Sequence, residues 1–280
     1  MEQTLGFKMI DGIKCYSFDN SEDYSNYPIE CFDIRDEVED NFWLTSRNRL
    51  LEDLIIKYSL PDCETKFLEI GCANGLFLEK LAKNKNIKIT GSEIYLAGLK
   101  YAREKLRVGA DLIQFDVEQG ILPDRFDIIG SFDVIEHIEN DVAAIANIYA
   151  MLNPGGNFIL TVPQYMFLWS KHDEMLHHKR RYSRKELLTK LTGAGFEIKL
   201  CSSWLFCLFP LMLTQRLIEG SRLNKKDEES FKESFKDRES FPKIINRIFD
   251  KIMLIDEFLI KRNISLPFGG SLLVIAKRIN

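Results

Sequence analysis

Residues 66–81 read Lys66-Phe-Leu-Glu-Ile-Gly-Cys-Ala-Asn-Gly-Leu-Phe-Leu-Glu-Lys-Leu81, an apolar run that glycines interrupt and that resumes at helical spacing. The apolar residues of 67–70 suit a buried strand, and those of 76–81 recur as on one face of a helix. Between them lie Gly71 and Gly75, which lack a Cβ and let the backbone approach a ligand closely. The stretch therefore predicts a strand, a tight turn and a helix that together form a small-molecule site.

An acid precedes this turn. Glu69 stands where a doubly wound sheet opens the carboxyl end of a strand to its ligand, and an anionic side chain there favours a cationic ligand. A dinucleotide fingerprint would require glycines at the positions of Ala73 and Leu76. The sequence thus disfavours a nucleotide-dependent oxidoreductase, which stays an alternative.

A second acid follows at a spacing typical of nucleotide-binding folds. The alternating run of residues 87–94 predicts a strand that ends in Glu93, 22 residues after Gly71. In such folds an acid about 20 residues beyond the turn accepts hydrogen bonds from the ribose hydroxyls. We therefore expect Glu93 to bind a ribose.

The segment Glu69-Ile-Gly-Cys-Ala-Asn-Gly75 resembles the first motif of class I S-adenosylmethionine-dependent methyltransferases, [DE]-x-G-x-G-x-G, and departs from it at Ala73. Residues 126–138 resemble the fourth motif, in the D-x-x-E-H-I/V form of ubiquinone-biosynthesis-type enzymes, and the Pro-Gly-Gly turn before residues 157–163 resembles the approach to the fifth strand. The resemblance implies S-adenosylmethionine as cofactor and S-adenosylhomocysteine as product. It implies cofactor contacts by Glu69, Gly71, Cys72, Asn74, Gly75, Glu93, Ile94, Asp116, Val117, Ser131 and Phe132.

Two of the expected cofactor residues also have simpler interpretations. Asp116 resembles the family's adenine-binding acid, but an aspartate after a strand can equally form a turn or cap a helix. Arg47 lies in a segment that begins at Glu37 and predicts one or two helices ending before Pro61, where it could hold a carboxylate at the cofactor mouth. The alternative is an amphipathic helix with Phe42 and Trp43 in the core and solvated arginines.

Methylation of a hydroxyl releases a proton, which a neutral imidazole can accept. His137, in the acidic turn after the fourth motif, and His172 are the candidate catalytic residues. A histidine in the first turn of a helix can equally be structural, and the same doubt applies to Asp133 and Glu136.

Residues 163–182 combine aromatic rings, imidazoles and cations beside the expected position of the methyl group. We expect an acceptor pocket formed by Tyr165, Trp169, His178, Arg180 and Arg181, in which an arginine pairs with an anionic substrate group. The alternative is that Asp173 pairs internally with an arginine while the aromatic rings pack under a lid. We expect no metal site, because His177 and His178 are adjacent and no helical H-x-x-x-H repeat occurs.

The resemblance implies an α/β fold with a doubly wound, seven-stranded, mostly parallel, Rossmann-like sheet whose last strand is antiparallel. We divide the chain into an N-terminal helical cap (1–60), a cofactor-binding core (61–200), a helical insertion (201–267) and the final strand (268–280). The apolar run 204–213 of the insertion is too short to span a bilayer. It is interpreted as a core helix, a cover for a lipidic substrate, a peripheral membrane contact or a partner surface. Residues 224–240 read as a solvated linker.

The net charge and the cysteine spacing of the chain argue against several classes of function. A formal charge of −4 and a pI near 5.7 leave no basic footprint, which argues against nucleic acid as partner and against an RNA methyltransferase. Six cysteines without zinc-type spacing and an N-terminus without a signal pattern indicate reduced thiols in the cytoplasm. We therefore expect methyl transfer to a small molecule, with oxygen as the favoured attacked atom. A methyltransferase-fold protein that binds without turnover is the second interpretation.

Overall fold

The structure is a computed structural model that describes residues 6–16, 41–106, 109–221 and 241–279. At its centre lies a nine-stranded sheet, with the strand order β1-β2-β5-β4-β3-β6-β7-β9-β8. The strands are β1 Lys8–Ile10, β2 Ile13–Cys15, β3 Thr65–Ile70, β4 Ile87–Glu93, β5 Ala110–Gln114, β6 Phe126–Phe132, β7 Leu152–Pro163, β8 Phe196–Trp204 and β9 Ser271–Arg278.

Helices connect these strands. They are α1 Phe42–Tyr58, α2 Leu76–Leu81, α3 Leu96–Leu106, α4 Asp141–Met151, α5 Lys171–Met175, α6 Arg184–Gly193, α7 Phe209–Ser221 and α8 Lys243–Lys261. Short 3-10 turns, Ile135–His137 and Met166–Leu168, follow β6 and β7.

The strand directions confirm the predicted doubly wound, mostly parallel sheet. Strands β5, β4, β3, β6 and β7 run parallel, and β9 lies antiparallel between β7 and β8. The order reverses at β3, which has β4 on one side and β6 on the other. Such a reversal opens a crevice at the carboxyl ends of the central strands.

The prediction of seven strands was wrong. The two additional strands, β1 and β2, form a hairpin that extends the sheet by pairing Lys14 with Ile113 of β5. Asp11 and Gly12 form its turn with φ values of 50° and 78°, the left-handed conformation that tight hairpin turns require. Each strand has three residues, too few for alternation to be recognised, and the Asp-Gly pair was the available signal.

Both faces of the sheet are covered. Phe67 of β3 packs in one apolar cluster with residues of α1, α2, α3 and α8, whereas Leu68 and Ile70 pack in a second cluster with residues of α4 and α6. Successive side chains of a strand point to opposite faces, so a strand covered on both sides is apolar nearly throughout. This explains why Phe67, Leu68 and Ile70 are apolar although they point to different faces of the sheet.

The Pro-Gly-Gly segment forms a bulge at the start of β7. Leu152 lies opposite Phe126, whereas Asn157 lies opposite Ile128. Residues 153–156 of β7 therefore correspond to a single residue of β6. Gly155 has φ 78°, a conformation suited to glycine. The predicted turn is therefore present, but inside the strand.

The apolar run 204–213 divides between core and surface. Trp204 ends β8 and is buried, with its ring centroid 5.8 Å from that of Trp43 in α1. Leu205 and Leu208 are also buried, whereas Leu211 in α7 is half exposed. Within the described residues, none of the helices combines the length and apolar character that crossing a membrane requires. The linker expected at 224–240 lies outside the described residues, as does the start of the predicted first helix, residues 37–40.

Helix α8 packs against α1 through ion pairs as well as apolar contacts. The Arg49 guanidinium lies 2.6 Å from Glu257 Oε1 and 2.9 Å from Asp250 Oδ1. The Glu257 side chain is 1% exposed, whereas a second α1–α8 pair, Lys261 with Asp53, is exposed at 38% and 41%. The two pairs differ in burial across the same helix contact.

We expect Arg49→Met to lower the free energy of unfolding by about 2–3 kcal/mol, because it leaves the buried Glu257 carboxylate uncompensated. Asp53→Asn, the matched control, should change it by at most about 0.5 kcal/mol, since an exposed pair contributes little. Urea denaturation followed by circular dichroism measures both. Equal effects of the two substitutions would contradict the assignment of Glu257 as a buried charge that needs Arg49.

Candidate functional site

The carboxyl ends of β3, β4 and β6 bring the predicted acids to one edge of the sheet. Because β3 pairs in parallel with both neighbours, the three strand ends lie side by side. Glu69 is buried in β3 and lies opposite Gly91 of β4 and Gly130 of β6. The crevice predicted from the reversal of strand order therefore begins beside a buried carboxylate.

The turn after β3 has left-handed backbone at three positions: Gly71 (φ 73°), Ala73 (φ 49°) and Gly75 (φ 77°). A Cβ on Gly71 would lie 2.5 Å from Val134 Cγ2, and one on Gly75 would lie 3.0 Å from Ala102 Cβ. The left-handed conformation costs an L-residue about 1–2 kcal/mol, so Ala73 is strained. The glycine pattern of the motif is thus explained by backbone shape and close packing.

Glu93 ties the end of β4 to this turn. Its Oε2 accepts a hydrogen bond from the Ala73 amide at 2.9 Å, and its Oε1 accepts one from the Ile94 amide at 2.8 Å. The carboxylate is buried, 6% exposed, and its Oε1 also accepts from the Tyr95 amide at 3.3 Å. Glu93 therefore joins the two segments between which a ribose would lie.

Cys72 and Asn74 complete the turn and are buried. The Cys72 amide donates to the Ser92 carbonyl at 2.9 Å, which fixes the turn against β4. Burial, together with the charges of Glu69 and Glu93, raises the pKa of the Cys72 thiol well above its ordinary value. The thiol is therefore protonated at neutral pH and serves packing rather than nucleophilic chemistry.

Asp116 follows β5 and is buried, 8% exposed. Its Oδ1 accepts from the Glu118 amide at 2.9 Å, which is the turn contact foreseen as the simpler interpretation. Val117, also buried, accepts at its carbonyl from Asn147 Nδ2 at 2.8 Å. These contacts fix the loop, and adenine binding by Asp116 and Val117 stays a prediction.

The ends of β6 and β7 carry buried polar atoms. Ser131 Oγ, Thr161 Oγ1 and Gln164 Oε1 make no hydrogen bond within the described part of the chain. Phe132 packs edge-on against Phe77 of α2, with ring centroids 5.2 Å apart. Buried polar atoms without partners are costly, so these atoms mark a place where a polar ligand would be stabilised.

Arg47 extends from α1 to the residue that follows β6. Its Nη1 lies 2.8 Å from Asp133 Oδ2, and its guanidinium stacks 4.7 Å from the centroid of the Trp43 ring. Arg47 is 8% exposed, so the interpretation as a solvated arginine was wrong: the carboxylate that it holds is the protein's own. Asp133 has φ 57°, a strained conformation at the end of the strand.

Five side chains form a chain of contacts beyond β6. Asp173 is fully buried, and its Oδ1 accepts a hydrogen bond from Arg181 Nε at 2.7 Å. The same oxygen lies 2.9 Å from His178 Nδ1. The ring of His178 lies edge-on to that of His137, with centroids 4.6 Å apart, and its Nε2 is 4.0 Å from Glu136 Oε1. The structure therefore brings together His137 and His178, which the sequence separates.

Burial favours a raised pKa for both acids of this cluster, but the final pKa shifts of Glu136 and Asp173 have opposite signs. Burial raises the pKa of Glu136 well above its ordinary value, and the charge of Asp133 adds to the rise. Burial would also raise the pKa of Asp173, but the hydrogen bonds from His178 and Arg181 hold it well below its ordinary value. Asp173 is therefore charged at neutral pH, and its charge is matched within the protein.

The expected anion-binding arginines are engaged internally. Arg181 is paired with Asp173, and Arg180 Nη1 lies 3.0 Å from Asp141 Oδ2. Asp141 also accepts from the Tyr182 hydroxyl at 2.7 Å. The alternative interpretation, in which Asp173 pairs with an arginine, describes the structure, and a substrate anion would have to compete with both pairs.

The remaining predicted residues lie after β7. Tyr165 has φ 65° and stacks on Phe167 with ring centroids 5.0 Å apart. Trp169 is half-buried at the end of the 3-10 turn, and His172 is half-buried on α5. Sequence reasoning missed Thr161 and Gln164, which no motif distinguishes from other residues at a strand end.

Comparisons with known proteins agree with this geometry. Residues 43–200 match the family of methyltransferase domains. A probable S-adenosylmethionine-dependent methyltransferase of Mycolicibacterium smegmatis is 26% identical over 58% of this chain and 62% of its own. A ubiquinone biosynthesis O-methyltransferase of Pseudomonas aeruginosa is 30% identical over 48% of this chain and 65% of its own.

A solved structure gives the same fold. Phosphoethanolamine N-methyltransferase 2 of Haemonchus contortus, in complex with S-adenosyl-L-methionine, has a TM-score of 0.58 at 17% identity and covers 92% of this chain and 59% of its own. The chain thus spans less than two thirds of the length of each of these relatives.

We expect Gly71→Ala to lower the free energy of unfolding by about 2–4 kcal/mol, because left-handed strain and overpacking against Val134 act together. Gly193→Ala is the matched control: it lies at the end of α6 with no atom within 4 Å of the added Cβ, and should be neutral or slightly stabilising.

A double-mutant cycle separates the two causes. Val134→Ala removes the clashing methyl groups, so Gly71→Ala should cost at least about 1 kcal/mol less in that background than in the native one. Additive effects in urea denaturation would show that the close approach of Gly71 to Val134 does not constrain the turn.

Proposed function

Since the chain belongs to the methyltransferase domain family, we propose that it transfers the methyl group of S-adenosylmethionine to an oxygen of a small-molecule acceptor and releases S-adenosylhomocysteine. The observation that carries the proposal is the contact between Glu93 and the glycine turn, at the crevice where the strand order reverses. Relatives named as O-methyltransferases support oxygen as the attacked atom.

The cofactor lies, in this proposal, across the ends of β3, β4 and β6. The Glu93 carboxylate, which holds the turn, is the proposed acceptor of hydrogen bonds from the ribose hydroxyls. The Gly71–Gly75 turn lets the backbone approach the cofactor closely. The buried carboxylate of Glu69 favours the cationic methionine end of the cofactor.

Methyl transfer forms an oxygen–carbon bond as the carbon–sulfur bond breaks, so the sulfonium loses its charge and the hydroxyl loses its proton. Most of the rate enhancement then comes from holding the oxygen, carbon and sulfur in line. His137 lies at the carboxyl end of β6, the position expected beside the methyl group, and His172 lies on α5. We propose these two imidazoles as acceptors of the proton.

The acceptor site is proposed between the turn after β6 and the segment after β7. Tyr165 is accompanied there by the exposed rings of Phe167 and Phe268 and by the half-buried ring of Phe209. The ring centroids are 5.0 Å apart for Tyr165–Phe167 and 5.3 Å apart for Phe209–Phe268. An aromatic surface of this kind suits an apolar acceptor. The peripheral membrane contact of residues 204–213 and the cytoplasmic location stay predictions.

We expect S-adenosylhomocysteine to bind the purified protein and Glu93→Gln to weaken that binding by about tenfold or more, because a charge-assisted hydrogen bond contributes about 1.5–3 kcal/mol. Glu104→Gln, on the exposed face of α3, is the matched control and should leave the affinity unchanged. Isothermal titration calorimetry with S-adenosylmethionine, S-adenosylhomocysteine and NADH measures the three affinities.

The outcomes separate the alternatives. Binding of NADH without binding of S-adenosylhomocysteine would overturn the proposal in favour of an oxidoreductase. Tight cofactor binding without transfer of a labelled methyl group to any member of a broad panel of hydroxyl and amine compounds would favour the non-catalytic interpretation. Transfer to amines alone would contradict oxygen as the attacked atom.

A further inference from the structure

Three side chains of metal-ligand type converge at the end of β6. Glu136 and His137 belong to the 3-10 turn after the strand, and His178 belongs to the loop after α5. One ligand atom from each lies within 4.8 Å of the other two. Two imidazoles and a carboxylate form the donor set of many catalytic zinc sites.

Glu136 supplies an independent observation. The residue is 0% exposed, and neither of its carboxylate oxygens makes a hydrogen bond within the described residues. A buried carboxylate without hydrogen bonds is strongly unfavourable, whereas a cation at that position would compensate it. A cation bound here would therefore account for the burial of Glu136.

The orientation of the His178 ring is fixed by a buried carboxylate. Its Nδ1 lies 2.9 Å from Asp173 Oδ1, and Asp173 is in turn held by Arg181 at 2.7 Å and by Ser170. When the Nδ1–H group of this ring donates a hydrogen bond to Asp173, Nε2 carries a lone pair, and Nε2 faces Glu136 Oε1 at 4.0 Å. Metal-ligating histidines are oriented by a carboxylate in this way.

We propose that Glu136, His137 and His178 bind one divalent transition-metal ion of the Zn²⁺ type. Ligand atoms around a tetrahedral ion with bonds near 2.1 Å lie about 3.4 Å apart, so binding would draw the three atoms together by about 1 Å. His137 is half-buried and the His178 side chain is 8% exposed, and three protein ligands would leave the fourth tetrahedral position to water or substrate. Imidazole donors favour such an ion over Mg²⁺ or Ca²⁺.

The inference rests on the proposed function and deepens it. The open position binds the hydroxyl oxygen of the acceptor, the ion lowers the pKa of that hydroxyl, and its proton leaves to solvent. The resulting oxyanion attacks the methyl carbon as the carbon–sulfur bond breaks. His137 is then a metal ligand rather than the proton acceptor, and the acceptor is a hydroxyl compound rather than an amine.

The test compares metal binding in matched variants. Protein freed of metal by a chelator is titrated with Zn²⁺ by calorimetry and with Co²⁺ by visible absorption. We expect one equivalent to bind the native protein and His177→Asn, the exposed neighbour of His178, with equal affinity. Glu136→Gln and His178→Asn should weaken binding at least about 100-fold, the loss expected for a removed ligand. Asparagine tolerates the left-handed φ of 55° at position 177.

S-adenosylhomocysteine affinity, measured on the same samples, separates the possible failures. Equal metal binding by His178→Asn and His177→Asn, or no stoichiometric binding by native protein that retains S-adenosylhomocysteine, overturns the metal site while the proposed function stands. Metal binding that follows the expected pattern in protein without cofactor affinity supports the site and contradicts the proposed function. Glu136→Gln that still binds S-adenosylhomocysteine is folded, so its loss of metal reports the ligand alone.

Discussion

The close approach of Gly71 to Val134 is the constraint on which the site depends. The turn after β3 packs directly against the loop after β6 at this point. A Cβ on Gly71 would lie only 2.5 Å from Val134 Cγ2 and would clash with it. The first of these segments carries the expected cofactor contacts, and the second carries Asp133, Glu136 and His137. The contact between Gly71 and the Val134 side chain therefore brings together the two segments expected to hold the cofactor and the reacting groups, at the point where the sheet reverses its strand order.

Residues with strained backbone conformations lie at the same edge of the sheet. Ala73, Asp133 and Tyr165 follow three neighbouring parallel strands, and each has a positive φ. Strain of this kind costs about 1–3 kcal/mol per residue and persists where the surroundings determine the conformation. Here Glu93 holds the turn that contains Ala73, and Arg47 holds the side chain of Asp133. The buried polar contacts thus stabilise loop shapes that the local sequence alone would not adopt.

The sequence predicted the parts of the structure that are local. The strand, glycine turn and helix of residues 66–81 need contacts within one segment, and Glu93 follows at a spacing that a βαβ unit dictates. The β1–β2 hairpin was missed because strands of three residues show no period, although Asp11-Gly12 signals the turn. The Arg47–Asp133 pair could not be predicted from the sequence because its two residues lie 86 positions apart.

The histidine cluster shows why site chemistry is harder to predict than the fold. The histidines of residues 172–178 do not show the helical spacing typical of metal ligands. The relevant neighbours of His178 are Asp173 within its own segment and Glu136 and His137 from another strand end. Adjacent parallel strands place their carboxyl ends together whatever their separation in sequence. Ligand sets at such an edge are therefore found by asking which loops follow neighbouring strands, not by spacing along the chain.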